Sequence, residues 1–274
     1  MNPRHAPKGL RAGCALLLLL GTAGCRKPGA RADSSMTLTV AGSTSVQPFA
    51  EKWAELYMHK HPGTQINVQG GGSTAGIRAA QTGTAQLGAS SRELKPDESA
   101  LRAVVVARDG IAVVVHPRNP LNGLNLEQLR RIFSGAIQNW KEIGGIDREI
   151  TPITREEGSG TRTAFEELVM KKEPMSSDAL VQDSTGAVRE LVRSDESAIG
   201  YISLGQLNGQ VKPVELDGVE PTEAAAVAGR YPLVRPFLFV LKDEPSGLTR
   251  EFLAFVQSAE GQMLARREGL VPVK

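Results

Sequence analysis

The sequence predicts an α/β protein, and three observations carry that expectation. Short β-branched runs alternate with stretches of helical period along the chain. Apolar residues make up 41% of the 274 and recur throughout, enough to build a core and to exclude wholesale disorder. Small Ser/Thr/Gly turns stand where strand pattern gives way to helix pattern. The length admits one large or two small domains, and no repeat, heptad array or low-complexity block follows the N-terminal segment.

Residues 1–24 have the order of a secretion signal: basic Arg4, Lys8 and Arg11, an apolar stretch from Ala15 to Leu20 that is too short to span a bilayer, then Gly21, Thr22, Ala23 and Gly24 before Cys25. Cys14 lies within this leader, so Cys25 is the one thiol expected in the mature chain, and an internal disulfide is excluded. Small residues directly before a Cys resemble a bacterial lipobox, with Thr22 where Leu is usual. Acylation of Cys25 is therefore expected; secretion with a free N-terminal Cys is the alternative. Residues 25–35 read as a flexible tether. Without the leader, 29 Lys and Arg face 30 Asp and Glu, and no basic run exceeds two residues. A nucleic-acid surface is not expected.

Strands are predicted at Leu38 to Val40, Gln65 to Val68, Gln86 to Ala89, Val104 to Val106, Ile111 to Val115, Ile150 to Thr154, Ile199 to Ile202, Val211 to Glu215 and Phe237 to Leu241. Between the first two, Val46, Phe49, Ala50, Trp53, Leu56 and Tyr57 fall on one helical stripe, with Glu51, Lys52 and Glu55 facing out. Leu126, Leu129, Ile132 and Phe133 repeat the pattern, as do Leu248, Phe252, Phe255 and Val256. These aromatics read as core. The Pro- and Arg-rich segments His116 to Asn122 and Gly229 to Pro236 each abut an apolar strand and are candidate crossings between two lobes.

Five turns share one chemistry: Gly42-Ser43-Thr44-Ser45, Gly72-Ser73-Thr74-Ala75-Gly76, Ala89-Ser90-Ser91, Gly158-Ser159-Gly160-Thr161 and Ser184-Thr185-Gly186. At a helix start they combine free N–H groups, small hydroxyls and the positive end of the helix dipole. One such turn alone is an ordinary N-cap; five in an α/β chain point to a shared anion site along a sheet edge. The most specific stretch runs from Arg155 to Arg162. Its strand delivers a planar guanidinium, Glu157 is expected to hold it by a salt bridge, and Ser159, Gly160 and Thr161 offer donors on a backbone that Gly160 lets approach closely. A dry site would strip tens of kcal/mol of hydration from a dianion, and many fixed donors, each charge-assisted bond contributing about 1.5–3 kcal/mol, offset that loss.

Catalytic chemistry finds less support. Outside the leader the histidines are His59, His61 and His116, none set by sequence beside a Ser-containing turn, and G-x-S-x-G is absent. No catalytic residue, metal site or cofactor is expected, and the nucleotide-binding glycine motifs are missing. A secreted phosphatase using a Ser of one Gly-Ser turn is the alternative from another class.

Ten segments in order, AGSTSVQPFAEKW, VQGGGSTAGI, LGASSREL, ARDGIAVVVHPRNP, LEQLRRIFSGAIQNW, TREEGSGTRTAFEEL, STGAV, AIGYISLG, YPLVRPFLFV and EGLVPV, together resemble the phosphate-binding components of bacterial phosphate ABC transporters, the PstS family. The resemblance implies a type II periplasmic-binding-protein-like fold, two α/β lobes with mixed sheets joined by two hinge crossings. Lobe 1 is expected at 36–111 and 230–274 and lobe 2 at 112–229, with hinges near Val113 to Pro117 and Tyr231 to Phe237.

It also implies a ligand set for phosphate: Thr44 and Ser45 from the first turn, Ser73 from the second, and Arg155, Ser159, Gly160 and Thr161 from R-x-x-G-S-G-T. The better-known branch of the family also has an Asp after the A-S pair, which accepts the proton of hydrogen phosphate. Here that position is Ser91, which is also expected to bind phosphate from lobe 1, so the margin over sulfate is expected to narrow, with Glu156, Glu157 or a backbone carbonyl as substitute acceptors. The implied partners are inorganic phosphate and permease subunits, with the membrane reached through the anchor at Cys25. The protein is expected to be a monomer, exported across the inner membrane to the periplasm or cell surface. Another tetrahedral oxyanion, sulfate or molybdate, and a phosphate sensor are the further alternatives.

Overall fold

The computed structural model describes residues 36–273; the leader, Cys25 and the tether lie outside the described residues. In chain order the elements are β1 (Met36–Gly42), α1 (Gln47–Lys60), β2 (Thr64–Gln69), α2 (Ser73–Thr82), β3 (Leu87–Ser90), β4 (Arg102–Val115), β5 (Gly123–Leu124), α3 (Leu126–Phe133), β6 (Thr151–Arg155), α4 (Gly160–Phe165) and β7 (Leu180–Gln182). There follow α5 (Thr185–Ser194), β8 (Ala198–Ser203), β9 (Lys212–Pro213), β10 (Glu215–Leu216), α6 (Glu223–Val227), β11 (Val234–Leu241), α7 (Gly247–Val256) and α8 (Ala259–Arg267).

One mixed sheet runs β2-β1-β3-β11-β4-β8-β6-β7, with β9 beside β4. β1 is parallel to β2 and β3, whereas β11 is antiparallel to β3 and β4. Farther along, β4 is antiparallel to β8, and β6 is parallel to both β7 and β8. β5 and β10 form a separate parallel pair. The expected α/β class and mixed sheet are therefore present.

Two main cores divide the apolar residues. The first joins Trp53, Tyr57, Val106, Ala107, Phe237, Phe239 and Phe252 under α1 and α7. There the predicted stripe of α1 is buried at Phe49, Ala50, Trp53 and Tyr57, and Trp53 Nε1 donates to Gly261 O at 2.8 Å. The second joins Ile111, Val113, Phe133, Trp140, Phe165, Tyr201 and Leu233. In α3 an Asn125 cap and its Gln128 partner start the helix, and Leu129, Ile132 and Phe133 are buried as the stripe predicts.

β4 belongs to both cores, and here the structure departs from the sequence expectation. Val104 to Val106 and Ile111 to Val115 are one strand, because the polar Arg108-Asp109-Gly110 between them is not a loop. Asp109 is fully buried and pairs with Arg235 of β11. Gly110 has no Cβ for good reason, since one would crowd the Leu204 side chain. β4 pairs with β11 as far as Gly110 and with β8 from Ile111, while β11 shifts register between Phe237 and Leu238.

The chain thus leaves the first core at Ala107 and enters the second at Ile111, ahead of the Pro-rich segment and of Val113 to Pro117. Those prolines end β4 instead of crossing between cores. The return passage lies between Val234 and Phe237. Ile111, Tyr231, Leu233 and Val234 accordingly pack with residues 112–229. Smaller differences remain, among them β5, a two-residue strand that the sequence does not predict. β7 was not expected, and Val211 to Glu215 divides into β9 on the main sheet and β10 on the small one.

Candidate functional site

Four of the five Ser/Thr/Gly segments lead from the C-terminal ends of β1, β2, β6 and β7 into α1, α2, α4 and α5; the third, Ala89-Ser90-Ser91, is the end of β3 itself and starts no α-helix, against the sequence expectation. Parallel neighbours end on one edge, so β1, β2 and β3 deliver three turns together and β6 and β7 deliver two more. The N-cap positions of α1 and α2, Val46 and Gly72, make no side-chain cap, and Gly72 holds φ at 88° to turn the chain into α2. Across from them, Ser159 and Ser184 cap α4 and α5 by accepting the N–H groups of Arg162 and Ala187 at 3.3 and 3.1 Å.

The two groups of turns meet through hydroxyls. Ser45 Oγ lies 2.7 Å from Thr161 Oγ1 and 3.1 Å from Thr185 Oγ1, and all three residues are buried. Ser43 Oγ donates to Ser91 Oγ at 2.9 Å, and Ser91 Oγ lies 3.3 Å from Ser73 Oγ. Thr74 N–H donates to Gly158 O at 3.1 Å, joining the second turn to the fourth. A Cβ on Gly160 would overlap Ser73 Oγ and Ser91 Oγ, so only glycine lets this backbone come so near.

Arg155 stands at the end of β6, 1% exposed. Its Nη2 donates to Thr44 Oγ1 at 3.2 Å and Asp183 O at 3.1 Å, and its Nη1 to Thr185 Oγ1 at 3.3 Å. Its carboxylate partner corrects the sequence expectation. Glu156, not Glu157, accepts from Nε and Nη2, both at 3.0 Å, while Glu157 is exposed. Along an extended strand end, successive side chains leave on opposite sides; the following turn brings Glu156 back to the guanidinium, and spacing alone does not register that.

Two further buried guanidiniums flank the cluster. Arg92, directly after Ser91, forms a two-point pair with Glu98 at 2.7 and 2.8 Å and reaches Thr74 Oγ1 at 3.4 Å. The bonds from Arg92 hold the Glu98 carboxyl below its ordinary range. Arg235 donates to Asp109 at 2.9 and 3.2 Å and to Ser91 O at 3.4 Å, and Ser203 Oγ donates to the other Asp109 oxygen at 2.8 Å. Burial pushes the Asp109 carboxyl upward, and Arg235 and Ser203 oppose that push.

Thr44, Ser45, Ser73, Ser91, Arg155, Ser159, Gly160 and Thr161 are thus gathered in one region. Ser43 and Thr185 are also in it although the sequence reading did not single them out as ligands. They lie within turns already marked, but composition does not say which hydroxyl of a turn points inward. Chemically, the cluster presents rotatable O–H groups and the Arg155 guanidinium, held from one side by Glu156, an environment suited to a small oxyanion. Behind it Tyr201, stacked on Phe165 at 4.0 Å, has its hydroxyl pushed by burial to about 12 and bonded to Thr154 at 2.7 Å. It stays a neutral support.

Comparison with known proteins follows the same lines. Residues 28–260 match the PBP superfamily domain. The phosphate-binding protein PstS of Bacillus subtilis is 34% identical over 247 residues, spanning 88% of this chain and 82% of its own length. The chain belongs to the PstS family of phosphate-binding proteins. Among solved structures, a phosphate ABC transporter substrate-binding protein of Clostridium perfringens with bound phosphate is 40% identical, with a TM-score of 0.84 over 87% of this chain and all of that one. An ABC-type phosphate transport receptor of Vibrio cholerae is 38% identical, with a TM-score of 0.71 over 85% of this chain and 99% of that one. The likeness to these PstS-family relatives therefore extends over most of the chain.

Proposed function

We propose that this protein captures inorganic phosphate between its two cores and hands it to the permease of an ABC importer. The observation that carries this reading is buried Arg155 among Thr44, Ser45, Thr161 and Thr185, hydroxyls contributed by turns from both sides. Thr44, Ser45, Ser73 and Ser91 bind the anion from one side, and Arg155 with Ser159, Gly160 and Thr161 closes over it from the other. Segments 36–110 with 235–273 and 111–234 act as the two lobes, hinged where β4 and β11 cross. Hydrogen bonds that the anion makes only in the closed form drive the motion, since a ligand shifts an equilibrium through differential affinity alone.

The relatives named as phosphate-binding or phosphate-transport proteins support this reading. So does the histidine inventory: His59 and His61 are exposed on the far end of α1, and His116 Nδ1 accepts the Arg118 N–H. None stands beside a site hydroxyl to act as a base. Acylation of Cys25 would hold the monomeric receptor at a membrane face; mass spectrometry of the protein purified from membranes tests it, and an unmodified Cys25 rejects it.

Isothermal titration with phosphate, sulfate and molybdate at pH 6 and pH 8 tests the ligand. Phosphate is expected to bind most tightly, by a narrow margin over sulfate because Ser91 replaces a carboxylate. Preference for molybdate or sulfate at both pH values would move the assignment to another oxyanion, and release of product from a phosphate ester would move it to an enzyme.

A further inference from the structure

Ser43 is absent from the ligand set that the family motif implies, yet it is 3% exposed and bonded into the hydroxyl cluster. Its Oγ accepts the backbone N–H groups of Ser45 and Val46 at 3.3 and 3.4 Å, which aims its own proton away from α1. That proton goes to Ser91 Oγ at 2.9 Å. Ser91 Oγ in turn lies 3.3 Å from Ser73 Oγ, a contact in which either hydroxyl can donate, and Ser91 N–H donates to Ser73 Oγ at 3.0 Å.

A serine hydroxyl has one proton and two acceptor lone pairs. Ser43 occupies one lone pair of Ser91, which leaves two arrangements for the rest. When Ser73 donates to Ser91, both lone pairs are filled and the Ser91 proton is free for the oxyanion. When Ser91 donates to Ser73, one lone pair of Ser91 stays open for a proton carried by the oxyanion, and Ser73 offers the outward proton instead. The first arrangement suits a fully ionised anion and the second a protonated one.

We propose that Ser43 is a specificity-determining residue: by donating to Ser91 it makes the Ser73–Ser91 pair a reversible hydroxyl relay that accommodates both hydrogen phosphate and a fully ionised tetrahedral oxyanion. The inference rests on the phosphate reading above and deepens it. A carboxylate at position 91 would be an acceptor only and would repel the ionised anion. Ser91 has both capacities, and Ser43 decides how much acceptor capacity remains. Hydrogen bonds in such a buried chain polarise one another, so the donation from Ser43 also strengthens Ser91 as a donor.

Removing the Ser43 hydroxyl frees one more lone pair on Ser91 than the wild type has, so that Ser91 can accept a ligand proton in either arrangement. The ratio of phosphate to sulfate affinity is therefore expected to rise about three- to tenfold in Ser43→Ala, the scale of one hydrogen bond. Absolute affinity for sulfate falls, because the Ser91 donor loses its polarising neighbour. Ser43→Thr keeps the hydroxyl and should keep the wild-type ratio.

Isothermal titration with inorganic phosphate and with sulfate, on wild type, S43A, S43T, S91A and S43A/S91A, tests the relay. A raised ratio in S43A, restored in S43T and absent from the S91A background, is the expected result. An unchanged or lowered ratio in S43A, or the same shift with and without Ser91, overturns the proposal. If S43A does not fold, S43C carries the same test, since a thiol is a weaker donor and should raise the ratio by a smaller factor. Wild-type protein that binds neither anion would overturn the phosphate reading itself, a failure visible before any variant is made.

Discussion

The hydroxyl cluster and the crossing between the two cores each hold a buried guanidinium beside a carboxylate, and they use it in opposite ways. Arg235, at the crossing, is spent on the protein: its partner Asp109 is 0% exposed and is further held by Ser203 from β8. Arg155, in the hydroxyl cluster, has a partner that is 30% exposed, and besides the carbonyls of Gln182 and Asp183 its donors meet the Thr44 and Thr185 hydroxyls, which can turn toward something else. A charge whose counter-charge is sealed in stabilises the fold. Under the proposed function, a charge edged by rotatable hydroxyls remains available to an incoming anion.

The sharpest way to break this contrast is to remove each guanidinium in turn. Arg235→Ala leaves Asp109 buried and unpaired and should cost about 3–5 kcal/mol of stability in urea unfolding. An unfolding midpoint close to wild type would show that the crossing does not depend on the pair. Arg155→Ala should do the converse, weakening phosphate binding by about 3 kcal/mol, a hundredfold or more in Kd, because hydrogen bonds to a charged ligand are lost. If both variants lose stability equally and binding equally, the distinction between the two regions is false.

Arg92 and Glu98 form the intermediate case, beside the hydroxyl cluster but reached by solvent at the carboxylate, which is 14% exposed. Glu98→Gln should cost about 1 kcal/mol at pH 7, less than a sealed pair, because solvent screens the interaction. The sign of the pH dependence follows from the depressed native pKa of Glu98. Its contribution is complete above the ordinary glutamate value of about 4.3 and is lost as pH falls through the lower native value. Wild type and E98Q should therefore converge in stability on acidification, and a gap that is constant from pH 7 to pH 3 would remove the ion pair as its source.

The smallest expected effects separate the two glutamates after Arg155. Glu156→Gln should weaken phosphate binding modestly by loosening the guanidinium, whereas Glu157→Gln should leave binding and unfolding within measurement error. The reverse result in titration would restore the pairing that spacing alone suggested.

Much of the architecture was legible because it depends on local periodicity. The apolar stripe of α1, the capped start of α3 and the β-branched strands each declare their buried face within one element. The long β4 was not legible as one strand, since Asp109 looks like solvent-facing turn chemistry until Arg235, 126 positions later, is brought against it. β7 was missed for the opposite reason. It is a three-residue edge strand with exposed Leu180 and Val181, and it has no buried face to declare.

For the site, the turns that carry hydroxyls and the arginine at the end of β6 could be named from residue type and position alone, because helix starts after strands impose their own chemistry on the backbone. Which hydroxyl touches which was decided by the tertiary structure: the 2.7 Å approach of Ser45 to Thr161 and the alignment of Ser43, Ser91 and Ser73 depend on strands far apart in sequence ending side by side. Sequence determines what each segment can donate or accept. Only the packing of two cores along the paired strands that pass between them sets the distances over which those donors and acceptors act.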